Sequence, residues 1–169
     1  MNIFYTYNDP VLAAQSLPDK LVVKMPLESA QMLCTTQRYY FHSSYCDQLE
    51  IYKTAYLNHP CTIWARESLE NYNWLYKHFV ALCDEYTYRY GKVHASDTKL
   101  RRTLSYIPAS MPSLGLTPIA QAMPDQYKNA DPVVAYRNYL INEKHYAAWN
   151  KTRPKPNWWN TSWQVEECA

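Results

Sequence analysis

At 169 residues with seventeen tyrosines, six tryptophans and only two glycines, this chain is domain-sized and aromatic-rich. It carries neither G-x-G-x-x-G nor a Walker A sequence, which excludes nucleotide binding through those devices. Seventeen Lys and Arg against fifteen Asp and Glu leave a formal charge of +2, a balance that allows nucleic-acid contact without announcing it. Five cysteines, odd in number and without a C-x-x-C pair, occur with no leader and no apolar run near 18 residues. They predict reduced thiols in a soluble cytoplasmic protein with no membrane partner. No spacing of Cys and His suggests a metal site, and no cofactor is implied.

In chain order, Asn2 to Tyr7 is a short apolar, aromatic start. Asp9 predicts a helix cap with Pro10 at the first helical position, giving a short helix through Gln15. Asp19 is expected to cap a long second helix, with Pro26 kinking it or starting a new one. Residues 41–50 read as a loop, and Tyr52 to Leu57 as a helical turn leading into Asn58-His59-Pro60. A strong helix is expected from Cys61 to Tyr90, stopped by Gly91. A short basic helix follows over Asp97 to Tyr106. Four prolines then make 107–131 a wrapping connection, and Asp131-Pro132 starts a last helix running to Trp149. The fold class is all-α (mainly helical). The expected organisation is one helical domain over residues 1–150 and a Trp/Pro-rich tail over 151–169 that packs back on it.

The most informative pattern is the stripe Lys20, Lys24, Glu28 and Gln31 in DKLVVKMPLESAQML. Residues three and four apart share a helix face, so two amines, a carboxylate and an amide fall in one row. A solvated face with ion pairs worth ~0.2–0.5 kcal/mol each explains such a row. Imine chemistry explains it too, because that chemistry needs a neutral amine as nucleophile and a carboxylate to move protons. The nucleophile could be Lys24 or the N-terminal amine, and an α-amine titrates closer to neutrality than an unperturbed lysine. Asn2 is a large second residue for removal of the initiator methionine, so Met1 is expected to stay. His59, aimed out of a helix start by the following Pro60, is either a satisfied structural histidine or a proton carrier or phosphate contact, with Trp64 and Arg66 next in sequence. Glu85, Arg89 and Lys92 lie among tyrosines near a helix C-terminus, a mixture that also serves base stacking and phosphate contact.

Three motifs in order, D-P-x-x-A-A-Q-x-L-x-D-K-x-V-V-K-M-x-L-E-x-A-Q-x-L, N-H-P-x-x-x-W-x-R and L-C-x-E-Y-x-x-R-Y-G-K, resemble a family of small tailed-phage proteins over about residues 1–149. Over residues 9–92 the chain is more distantly similar to the small helical proteins grouped with pyrimidine-dimer DNA glycosylases. That resemblance implies a single all-helical domain that binds damaged duplex DNA, cleaves a glycosidic bond and nicks the strand through an imine. Glu28 would be the carboxylate, Lys20 and Lys24 would contact phosphate or the imine, and His59 and Arg89 would sit near the phosphodiester. The leading expectation is a phage glycosylase/AP-lyase-like enzyme acting on damaged or modified pyrimidines in the host cytoplasm. Its catalytic residues would be Glu28, Lys24 and His59, with Lys20, Gln31, Trp64, Arg66, Glu85, Arg89 and Lys92 binding substrate. The alternatives are an enzyme acting on a nucleotide or other small ligand in the same cleft, and a non-enzymatic inhibitor of a host protein.

Overall fold

The computed structural model describes residues 1–160. Within them the chain forms α1 (Pro10–Gln15), α2 (Asp19–Tyr40), α3 (Ser43–Gln48), α4 (Pro60–Glu67), α5 (Leu69–Tyr90), α6 (Ala95–Leu104) and α7 (Pro132–Glu143). Two 3-10 turns, Asp125–Tyr127 and Asn157–Asn160, complete the regular structure. No strand occurs among the described residues, and no helix there is long and apolar enough to cross a membrane. The fold is all-α.

The two 22-residue helices, α2 and α5, pack against each other, with α1, α4 and α6 around them. Leu21, Val22, Met25, Met32 and Leu33 of α2 meet Tyr72, Leu75, Phe79 and Leu82 of α5 in one core that extends from Ile3 to Trp158. The N-terminal segment is threaded through this packing. Trp74 donates its indole N–H to the Asn8 carbonyl (2.8 Å), His78 Nδ1 bonds the Pro10 carbonyl (2.9 Å) and Arg137 Nε bonds the Thr6 carbonyl (3.0 Å). These side chains anchor the backbone of the segment that leads into α1.

Several boundaries differ from the sequence expectation, each for a local reason. The helix expected over Cys61 to Tyr90 is two helices. Ser68 is extended (φ −148°, ψ 156°), and its hydroxyl accepts the Asn71 N–H while donating to the Gly115 carbonyl. Asp19 is the first residue of α2 rather than its cap, which is Pro18, because the Asp19 carboxylate is taken by Arg89 and by the Asn150 N–H. α2 runs unbroken through Pro26, which is buried in the core; packing along both ends outweighs one missing hydrogen bond. Residues 43–48 form α3, capped by His42 Nδ1. Tyr52 to Leu57 is not a helical turn, since Arg38 holds the Ile51 and Tyr52 carbonyls and Thr35 pairs with the Ala55 backbone. α7 stops at Glu143, and 144–150 instead runs back to the start of α2. Of the expected tail, 151–160 returns to the core through Trp158 and Trp159, while 161–169, including Cys168, lie outside the described residues.

Candidate active site

The spacing of α2 brings Lys24 Nζ to 3.0 Å from Glu28 Oε1. The other carboxylate oxygen is oriented from outside the helix: Glu28 Oε2 accepts the Asn2 backbone N–H (3.1 Å) and lies 3.8 Å from the Met1 ammonium. The Met1 side chain is only 2% exposed although the residue as a whole is half-buried, so most of the surface it presents is main chain. The Thr62 hydroxyl donates to Met1 Sδ (3.5 Å), and the Asn2 side-chain amide donates to the Ala122 carbonyl (2.8 Å) while its Oδ1 accepts the Ile3 N–H. Tyr136 fixes that loop in turn, its hydroxyl donating to the Ala120 carbonyl (2.6 Å) and accepting the Ala122 N–H. The amine is thus held at a carboxylate by residues on α4, α7 and the proline-rich loop.

His59 is the N-cap of α4, and its Nδ1 accepts the Cys61 N–H (3.2 Å). That bond places the proton of the neutral ring on Nε2, which takes no partner among the described residues. Burial pushes the His59 imidazole below its ordinary value, and the nearby Met1 ammonium pushes it the same way against the pull of Glu28. Lys24 is affected in the opposite sense. Its hydrogen bond to Glu28 raises its value, which favours the charged ammonium. Gln31, one turn beyond Glu28 on the same face, is half-buried with no hydrogen-bond partner among the described residues. A groove of about 650 Å³, lined in part by Pro60, Ala120, Gln121, Lys128 and Asn129, adjoins this corner.

The other expected site residues are elsewhere. Lys20 is exposed on the same stripe, its ammonium 5.2 Å from the centre of the Tyr146 ring. Trp64 is buried, donating to the Thr117 carbonyl and standing edge-on to Trp74. Arg66 bonds the Leu57 carbonyl and stacks on Tyr39. Glu85 and Arg89 stand in a buried network with Asp19 and Arg153, and Lys92 is exposed just past the end of α5. A cavity of about 520 Å³ on the α1–α5 side includes Glu85 and Arg153 but none of Lys24, Glu28 and His59. No group of three His, Cys, Asp or Glu among the described residues is placed to hold a metal ion. Asn2, Thr62 and Tyr136 carry no local sequence signal for their part in the corner.

Residues 1–99, which contain this whole amine–carboxylate–imidazole corner, match a family model described as pyrimidine dimer DNA glycosylase. The chain belongs to that family. No curated protein and no solved structure matches it. The family's description names DNA as what such proteins act on, and the loop and tail that hold Asn2 and Asp19 from the C-terminal side fall beyond the matched residues.

Proposed function

We propose that this protein is a DNA glycosylase/AP lyase that removes a damaged or modified pyrimidine and then opens the strand through an imine. The observation that carries the reading is the Met1 amine 3.8 Å from a carboxylate that is itself fixed by Lys24 and by the Asn2 N–H. The neutral amine attacks C1′ of the deoxyribose while the glycosidic C–N bond breaks, and the base leaves with the bonding pair and gains a proton. Loss of the amine's proton and opening of the sugar ring give an imine at C1′. Glu28 stabilises the positive charge that develops at C1′ and then accepts a proton from C2′, so that the 3′ phosphate leaves by elimination; water finally releases the amine. Lys24 remains charged and faces phosphate, and the Nε2–H of His59 is the donor available to phosphate or to the departing base. Gln31 and the groove beside Pro60 are where a base taken out of the stack would be read.

The test is borohydride trapping on abasic, ultraviolet-damaged and undamaged oligonucleotides, with the adduct mapped by peptide mass. Wild type is expected to trap on the lesions with the adduct on Met1. Glu28→Gln should lose at least a hundredfold in trapping rate, and Lys24→Ala should trap more weakly at the same residue. An adduct on Lys24 would transfer the nucleophilic role to that residue, and no adduct on any lesion would overturn the proposal.

A further inference from the structure

The Met1 ammonium lies 3.8 Å from Glu28 Oε2, close enough for charge attraction but beyond hydrogen-bond reach. The bond that Oε2 does accept comes from the Asn2 N–H at 3.1 Å. Something other than the carboxylate therefore sets the position of the amine. The Met1 side chain supplies it. That side chain is 2% exposed and packs on the edge of the core. Thr62, fully buried on α4, donates its hydroxyl to Met1 Sδ (3.5 Å). A thioether is a weak acceptor, so a buried hydroxyl aimed at it adds direction to the packing.

The residues behind Met1 hold the backbone at a fixed depth. Asn2 is 6% exposed and Ile3 fully buried. The Asn2 side-chain amide donates to the Ala122 carbonyl, and its Oδ1 accepts the Ile3 N–H. Phe4 then takes φ +60°, a left-handed conformation that is an outlier for a bulky residue. Two rings of α7 enclose it: Tyr139, stacked at 6.3 Å with 12° between planes, and Tyr136, edge-on at 6.3 Å. Strain of this kind persists only where the surroundings determine the backbone. With the chain pinned at residues 2–4, the Met1 side chain fixes the last bonds before the amine.

We infer that the Met1 side chain is a seated anchor and Thr62 a positioning residue, which together set the amine against Glu28. The inference rests on the activity proposed above for what the amine does; the seating of Met1 does not. Its consequence is a strict register. One residue added ahead of Met1 moves the amine about 3.8 Å along the chain. Removing Met1 empties the seat beside Thr62 and puts the charge on a nitrogen that lies deeper.

The test uses full-length protein released from an N-terminal fusion by a protease that leaves no residue of its own. Four chains are compared: wild type, one with a glycine added ahead of Met1, one that starts at Asn2, and Thr62→Val. Dilute hydrogen peroxide followed by peptide mass reads the seat without DNA. Met1 should oxidise at least tenfold more slowly in the native wild type than in urea, and the chain that starts at Asn2 should melt at least about 4 °C lower. Borohydride trapping on an abasic duplex, run well below the lowest Tm, reads the register. The lengthened and shortened chains should each trap at least tenfold more slowly than wild type. Thr62→Val should trap at least threefold more slowly at saturating DNA with the half-saturating concentration unchanged, a split that a general loss of structure would not give. Met1 oxidised as fast in the native protein as in urea would overturn the inference. So would a lengthened chain that forms its adduct on the added glycine at the wild-type rate. Because peroxide and Tm are read without DNA, a protected Met1 in a wild type that gives no adduct would sink the chemistry alone.

Discussion

Arg89 separates a structural from a substrate-binding role cleanly. Its guanidinium is fully buried and all of its contacts are to the protein: Nε to Glu85 (2.8 Å), Nη1 to the Leu17 carbonyl (2.8 Å) and Asp19 (3.0 Å), Nη2 to the Gln15 carbonyl (2.9 Å). Arg89→Ala would leave two backbone carbonyls and the Asp19 carboxylate short of a donor, with Glu85 still paired to Arg153 through both oxygens. Removing one partner of a buried charge pair costs about 3–5 kcal/mol. Arg153 relieves only Glu85, so about 4 kcal/mol is the expected loss, or about 8–16 °C in Tm for a chain of this size. Urea unfolding followed by circular dichroism measures it. Trapping on lesion DNA, run well below the lowered Tm, should stay within about twofold of wild type. A loss of stability under about 1 kcal/mol would refute the network argument. Retained stability with trapping down more than tenfold would place Arg89 at the phosphodiester after all.

Stability should also fall with acid in a window set by His78. Burial holds this imidazole at about 4 against an ordinary 6.5, so the unfolded chain binds a proton that the folded one refuses. Stability from this group is intact above pH 6.5 and declines toward pH 4 by about 3 kcal/mol in all; a His78→Gln protein should show a flatter profile between pH 6.5 and 5. Gly91→Ala should cost about 1–2 kcal/mol in urea unfolding. The glycine ends α5 at φ +64° and a Cβ there would meet nothing, so the cost is torsional. Burial pushes the thiols of Cys34 and Cys61 up to about 12, and Cys46 and Cys83 are raised by the same cause. Iodoacetamide at pH 8 followed by peptide mapping should leave all four unmodified in the native protein and label them in urea.

What was legible in the sequence is what local chemistry controls. Asp9 with Pro10, Asp131 with Pro132 and the stop at Gly91 each act within a few residues, and the structure shows all three. The Lys24–Glu28 pair follows from helical spacing alone. Ser68 looked like one more residue of a long helix because its competing partner, the Gly115 carbonyl, is 47 residues away. Glu85 and Arg89 are spaced like a solvent-facing pair on α5, but Asp19 lies 70 residues and Arg153 68 residues from their partners in the network. The Met1 amine meets Glu28 only through such distant contacts, so no window of sequence displays the corner as a unit.

Those distant contacts also explain why the segment beyond residue 99 matters to a site that lies before it. Residues 148–153 hold the Lys20 end of the α2 stripe through Asp19 and Glu85. The loop at Ala120 and Ala122, fixed by Tyr136, holds the Glu28 end through Asn2. Arg137 adds a bond to the Thr6 carbonyl, between the core and the amine. An N-terminal segment with no helical ladder would otherwise fray, and in the mechanism proposed above an amine displaced by about 1 Å would lose on the order of a hundredfold in rate. Carboxylate and cation could be specified by one helix, but an amine at the chain's end has to be set against them from several directions. The fold does this with α4, α7 and the proline-rich loop, two of which lie outside the family match.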